Sequence, residues 1–501
     1  MPSLTSTSNQ ITACVQRFGR DMPEPDPDDI ADFERYCFRF IVEEFEPITG
    51  PGLPTFEEWL SQTPYSKARK DQLLRLRMAM HLDDKSFDSQ SFGKWEQYEK
   101  FKAMRAINSP SDLSKAILGN LIFASDKKTF RSRFFVKGTD PKTWPEQLRK
   151  LFGTQRVVET DFTAFESHHR GRFANIVLFW LDHMTRHVRT DLQWQFIQTL
   201  VTGTNRAVFK FVTATIPQRL MSGALWTSSA NGVLNLMIMS YLSGRALYPG
   251  LTPEALADRM RQEFVGKVEG DDGITLDVGV QPGQIARLGL VLDFEPHDNY
   301  SQANFCGITC PLDGGSIIID PMKVMRKFFI IPPKYMKSNN SVHKQLLRAK
   351  ALSYNHLFGS CPIVGALATA VLRLTADVAI LSKSVQEYML TETRHSWIKS
   401  YRDDTPHTSA DCTNATRQLF AERFGFTIEH QLRIELSLEK WRSGPVHLEL
   451  PYTLDEYDYG LSHLSVDDKP KVPVDHPHPR VLEFYENQLR TYARDPQVFE
   501  C

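Results

Sequence analysis

Apolar positions recur along this chain with two spacings, and those spacings predict its elements. In RVVETDF, 156–162, the residues are β-branched and the run is short, which predicts a strand. In HHRGRFANIVLFWLDHMTRHV, 168–188, apolar residues return every three or four positions, which predicts a helix. A second apolar helix is predicted from Thr227 to about Leu247. KVEGDDGITLDV, 267–278, reads as a hairpin with GDDG at its turn. GQIARLGLVL, 283–292, predicts another helix, and SIIIDPMKVMRKFFII, 316–331, two short strands broken at proline. Residues 30–130 read mostly as helix behind the acidic proline-rich loop PEPDPDD, 23–29. Beyond Pro333 the pattern is helical, then loop-rich in KPKVPVDHPHP, 469–479. The order strand, helix, helix, hairpin, helix, strand predicts an α+β core, with helices packed on a mainly antiparallel sheet.

Composition narrows the picture. At 501 residues the chain exceeds one ordinary core, so two or three subdomains are expected. The net charge of −1 places any nucleic-acid contact on local basic patches. Seven scattered cysteines, an odd number, argue against a disulfide framework and for a reducing compartment. Cys306 and Cys310 form the only close pair and lack the second ligand pair of a structural zinc site. The N-terminus is polar, without the pattern of a signal peptide. In IVGALATAVLRLTADVAIL, 363–381, Arg373 and Asp377 interrupt the apolar run, so a buried amphipathic helix is expected instead of a membrane span of ~20 residues. No internal repeat and no GxxxxGK[ST] phosphate loop occurs.

The candidate chemistry lies in carboxylates. Asp271 and Asp272 sit side by side between glycines in an apolar hairpin. Such a pair fits an exposed turn, since Asp and Gly form turns. A calcium loop lacks its alternating acids and closing Glu. A Mg²⁺ site needs only two or three protein carboxylates, because water and substrate phosphates complete the shell. Asp161 ends a separate strand, where it could serve as a helix cap or stand beside Asp271 on a neighbouring strand. Three acids so placed suit two metals about 3.5–4 Å apart, the arrangement of in-line phosphoryl displacement. Without metal the pair repels, and at least one of its pKa values is expected to rise. In SGALWTSSAN, 222–231, Thr227 and Asn231 are four apart and share a helix face. That face suits a sugar hydroxyl, although the segment by itself fits a capped helix with a small-residue packing face better.

In order and spacing these pieces resemble the palm of a viral RNA-dependent RNA polymerase. Asp-x4-acid at Asp161–Glu166 resembles motif A, and Ser-Gly-x3-Thr-x3-Asn (Ser222, Gly223, Thr227, Asn231) resembles motif B. Gly-Asp-Asp, 270–272, resembles motif C, and FCG, 305–307, motif E. FGKWEQYEKFKAMRAINSP, 92–110, resembles the basic motif F. The flavour is that of positive-strand RNA viruses of the tombusvirus-like and nodavirus-like kind. The resemblance implies a right-hand fold: N-terminal region and fingers over 1–150, palm over 151–330 with a fingers insertion near 185–220, and thumb with C-terminal region over 331–501. It implies RNA synthesis with Mg²⁺ (or Mn²⁺) held by Asp161, Asp271 and Asp272. Ser222, Gly223, Thr227, Asn231 and Glu166 would meet the ribose, and Lys94, Lys102 and Arg105 the triphosphate. Phe305 and Cys306 would lie at the primer end. The implied partners are template and nascent RNA, ribonucleoside triphosphates, and other viral or host replication factors. The implied location is host cytoplasm, at membrane-bound replication sites.

Two positions depart from the pattern. The second acid of motif A is usually Asp, whereas Glu166 reaches one methylene further. Motif D usually offers a lysine, yet none occurs between Lys267 and Lys323. His297 is the candidate general acid in its place, since histidine titrates near neutrality. The basic run DKKTFRSRFFVKG, 126–138, suits either a strand-binding channel or a half-buried strand. KYMKSNNSVHKQLLRAK, 334–350, is a further candidate RNA-facing helix. Among rivals, a reverse transcriptase usually carries an aromatic residue where Glu269 stands. A nucleotidyl cyclase would lack the basic fingers, a nuclease needs no nucleotide channel, and an inactive RNA-binding protein has no need of all three aspartates.

Overall fold

The computed structural model describes residues 4, 6–83, 85–94, 96, 103–313, 315–331, 335–379, 412–444 and 448. Lys102 and the loop-rich stretch 469–479 lie outside these residues. Helices come first: α1 (Thr7–Ala13), α2 (Pro27–Glu44), α3 (Phe56–Gln62) and α4 (Lys67–Ala79). Strands β1 (Ser89–Gly93) and β2 (Ala106–Pro110) follow, then α5 (Asp112–Thr129) and α6 (Trp144–Phe152). Next come β3 (Val157–Phe162), α7 (Gly171–Thr185), α8 (Asp191–Thr202), β4 (Thr204–Val208) and β5 (Thr213–Pro217). Helices α9 (Thr227–Leu247) and α10 (Pro253–Glu263) lead into β6 (Gly266–Glu269), β7 (Asp272–Leu276), α11 (Pro282–Arg287) and β8 (Leu292–His297). The last elements among the described residues are helices: α12 (Pro321–Phe328), α13 (Asn340–Phe358), α14 (Val364–Leu374), α15 (Asn414–Phe424) and α16 (Ile428–Lys440).

The strands form two four-stranded sheets, in the orders β2-β1-β4-β5 and β6-β7-β3-β8. The second is antiparallel throughout. One of its faces carries Thr160 and Gly273, which lie against Asn235 of α9. Helix α9 is apolar nearly all round, with Val233, Leu234, Leu236, Met237 and Ile238 at 0% exposure, as a helix must be when other elements surround it. α2, α7 and α10 close over it, with Phe33 and Tyr36 each in an edge contact with the Tyr241 ring. The second hydrophobic cluster joins α6, the 300–318 segment and helices α12 to α16.

Most predicted elements appear where the spacing puts them, and α9 has the predicted limits. The helix predicted at 283–292 stops at Arg287, because Leu292 onward forms an edge strand against β3. The second strand predicted within 316–331 is helix α12 instead. Asp320 caps it, its Oδ1 accepting from the amides of Met322 (2.8 Å) and Lys323 (3.3 Å), with proline in the first turn. Only Ile318 keeps a strand-like bridge, to Thr309. Strands β4 and β5 had no distinct sequence signal. The 363–381 run contains the short buried helix α14, and no described helix is long and apolar enough to cross a membrane.

Candidate active site

The centre grows from the hairpin β6–β7. Glu269 pairs directly with Asp272, leaving Gly270 and Asp271 as a two-residue turn. Gly270 has φ +61°, and a two-residue hairpin turn demands such a value, which glycine adopts without strain. Strand β7 pairs with β3 in the register Thr160↔Gly273, so the next position aligns Asp161 with Asp272. On the other side of β3, Asp161 pairs with Asp293 and Glu159 with Glu295. Alternation along each strand puts these residues on one face, opposite the face packed on α9. That face grades from buried Val157 through half-buried Glu159 to exposed Asp161.

The electrostatics follow from this crowding. Burial first, then the charges of Asp271, Asp161, Glu159 and Glu269, push the Asp272 carboxyl up to about 7. The rise expected for at least one of the adjacent acids falls on Asp272. The donor set is carboxylate oxygen, the ligand type that hard divalent cations take. Asp161, Asp271 and Asp272 would hold such an ion, and its charge would favour the ionised form of Asp272.

Helix α9 holds the turn from behind. A Cβ on Gly232 would stand 3.6 Å from the Gly270 amide nitrogen, so the helix abuts the turn. Asn235 Nδ2 donates to the carbonyl oxygens of Gly270 (3.2 Å) and Asp272 (3.0 Å). Sequence reasoning missed Asn235. The available signal was an amide one helical turn beyond Asn231 in an otherwise apolar helix, where a buried polar group must find a partner. Asn231 itself lies within hydrogen-bonding reach of the His169 ring, with its Oδ1 buried.

At the start of α9, Gly223 has φ +118°, and a Cβ there would come 2.9 Å from the Asn108 carbonyl oxygen. The Asn108 amide donates to the Ser222 carbonyl oxygen (2.5 Å), so the Ser-Gly turn rests on β2. Thr227 Oγ1 accepts from the Gly223 amide (3.1 Å) and donates to the Ala224 carbonyl (2.9 Å). Its hydroxyl therefore serves the turn, the capped-helix role open in the sequence.

Other predicted residues have definite partners. The Glu166 carboxylate accepts from Arg17 Nε at 3.0 Å, a partly buried ion pair with the N-terminal segment. Lys94 and Arg105 close the β1–β2 hairpin and share Glu96, Lys94 in a short contact and Arg105 at 3.6 Å. Burial raises the Glu96 pKa, but these two cations and Lys327 outweigh it and hold the carboxyl below its usual range. Phe305 is buried against the Trp144 ring, 5.6 Å between centroids. Cys306, at φ +56°, hydrogen-bonds Asp272, and burial followed by the Asp272 charge raises its pKa. The FCG turn thus covers part of the acidic face. His297 lies elsewhere: it is four positions along β8 from Asp293, about 13 Å at strand rise. Its Nε2 is 3.3 Å from Glu159, so the geometry does not bring the candidate general acid to the Asp161–Asp272 row.

In the basic run 126–138, residues 126–129 end helix α5 and the rest is turn, half-buried and joined to β6 by a single parallel bridge, Phe135 to Val268, so the run forms no strand. Phe134 and Phe135 are buried, Val268 exchanges backbone hydrogen bonds with Phe134 and Val136, and Lys137 pairs with Glu269 at 2.6 Å. In α13, Lys344 pairs with Asp377 at 2.6 Å, and Arg348 donates to the Leu372 and Thr375 carbonyls. These cations are committed within the chain.

Residues 125–286 match the family model for viral RNA-dependent RNA polymerase. No curated protein matches the chain. The matched span contains the Asp161 strand, the Ser222–Asn231 segment and the Gly270–Asp272 turn, whereas Lys94, Arg105, His297 and Cys306 fall outside it. The acidic hairpin face lies inside the segment that matches viral RNA-dependent RNA polymerase, and that match supports RNA-directed RNA polymerase activity.

Proposed function

We propose that the chain extends an RNA strand on an RNA template by two-metal nucleotidyl transfer, for a positive-strand virus of the tombusvirus-like or nodavirus-like kind. The observation carrying this reading is the single sheet face on which Asp161, Asp271 and Asp272 crowd, with Asp272 pushed up to about 7. Bound Mg²⁺ would supply charge for the attacking 3′-hydroxyl and the leaving pyrophosphate. Asp161, Asp271 and Asp272 hold that charge in place, and Asn235 keeps the turn carrying two of them rigid. Asn231, one helical turn before Asn235 with its Oδ1 buried, is the residue we assign to the incoming ribose, whose 2′-hydroxyl would donate to it. Fingers, palm and thumb follow the layout given by the sequence, with the β2-β1-β4-β5 sheet in the fingers. We place the enzyme in host cytoplasm at membrane-bound sites, recruited by other replication factors.

The test is nucleotide choice. Purified chain with primed RNA template and Mg²⁺ should incorporate ribonucleotides well ahead of 2′-deoxynucleotides, and Asn231→Leu should narrow that preference. Extension with deoxynucleotides alone would refute the RNA-polymerase reading, and template shortening without extension would indicate a nuclease.

A further inference from the structure

The acidic face holds a second constellation away from the catalytic row. Glu159 and Glu295 stand directly opposite each other across β3 and β8. Like charges so placed weaken an antiparallel pair, and β8 is the edge strand of its sheet. His297, two positions beyond Glu295, points to the same face. One ligand atom from each of the three residues lies within 4.8 Å of the other two. An independent observation concerns the ring: the His297 side chain is only 9% exposed, and its Nε2 is buried without a hydrogen-bond partner, though 3.3 Å from Glu159 Oε2. A buried ring nitrogen in that state is costly unless something fills the place beside it. The Glu159 carboxylate is already oriented, because its Oε2 accepts from the Asn304 amide at 2.7 Å. Outer hydrogen bonds of this kind commonly fix metal ligands.

We propose that Glu159, Glu295 and His297 bind a second kind of divalent cation, one that accepts imidazole and carboxylate together. Zn²⁺ and Mn²⁺ meet that requirement, whereas Mg²⁺ and Ca²⁺ favour all-oxygen shells and would leave the imidazole unused. The ion clips edge strand β8 to β3, two residues or about 7 Å along the strand from Asp161. Its role is to hold the strand that presents Asp161, with no part in nucleotidyl transfer.

The full chain would be stripped with chelator, dialysed against micromolar Zn²⁺ or Mn²⁺, and its bound metal counted. An Asp161→Asn/Asp271→Asn double variant removes the catalytic ligands. It should still retain about one ion per chain, which Glu295→Gln and His297→Gln on that background should release. Glu295 is exposed, so its variant keeps the test valid should the histidine change impair folding. In the Mn²⁺ arm, nitrogen coupling in the electron spin resonance signal should vanish with His297→Gln. Retention that depends only on Asp161 and Asp271, uptake unaffected by Glu295→Gln, or uptake of neither ion would overturn the proposal. The two arms decide between Zn²⁺ and Mn²⁺.

Discussion

The two sheets treat charge in opposite ways. In the β2-β1-β4-β5 sheet, charges are neutralised within the fold: Arg206 grips Asp88 through two hydrogen bonds of 2.9 and 2.8 Å, and Lys94 and Arg105 share Glu96. In the β6-β7-β3-β8 sheet, acids face acids. Glu159 opposes Glu295, Asp161 opposes Asp293, and Glu269 opposes Asp272, with Lys137 on Glu269 as a basic partner. A fold that pairs its charges in one sheet and concentrates one sign in the other builds, in the second, a face whose donor type suits a hard cation. Perturbed groups gather at functional sites for this reason.

Several substitutions break or sharpen that contrast. Asn235→Leu should have the largest effect on stability, because it strands the Gly270 and Asp272 carbonyls in the core. A cost of about 1–3 kcal/mol is expected in urea unfolding, with a drop in nucleotide incorporation. Gly223→Ala tests the joint between the sheets, since the Ser-Gly turn leans on β2. The new methyl meets the Asn108 carbonyl at a positive φ, so about 1–2 kcal/mol should be lost in thermal unfolding.

The Asp272 prediction concerns pH. Its native pKa of about 7 lies above the ordinary 3.8, so the native state holds a proton that the unfolded chain releases. In chelator, this group's contribution is therefore whole below 3.8 and lost as pH rises through about 7. Denaturation from pH 4 to 8 should show Asp272→Asn escaping that loss, and Mg²⁺ restoring the wild type near neutrality. Burial holds His168 at about 4 and His169 at about 3, which gives the opposite slope, but both proteins share it. The smallest effect belongs to the other sheet. Lys94→Ala should change stability by no more than about 1 kcal/mol, as for an exposed ion pair. A raised nucleotide KM there would show that Lys94 leaves Glu96 for the triphosphate.

The acidic sheet was legible in sequence because its chemistry is local. Asp271 and Asp272 are adjacent, Gly270 marks the turn, and Asp161 closes a β-branched run. The other sheet was not legible. It forms through parallel pairing of β1 with β4, segments far apart in the chain, and parallel registers leave no turn signal. Helix α12 was missed although Asp320-Pro321 is a helix-start signal, because the apolar run before it reads as strand. The partners of Glu166, Thr227 and Lys94 were also invisible. Arg17 lies far from Glu166 in sequence, and whether a hydroxyl caps a turn or faces a ligand depends on its surroundings. His297 shows the same limit: its residue type suggested an acid, but register places it with Glu159 and Glu295.

The most direct test of the account compares Asp161 on the acidic sheet with Asp88, which precedes β1 and pairs with Arg206 of β4. Initial rates of ribonucleotide incorporation on a primed RNA template with Mg²⁺ would be measured for the wild type, Asp161→Asn and Asp88→Asn. The account predicts a loss of about 10³-fold or more for Asp161→Asn, equivalent to about 4 kcal/mol of barrier, and a change of only a few-fold for Asp88→Asn. Near-normal synthesis by Asp161→Asn in a folded protein would contradict it.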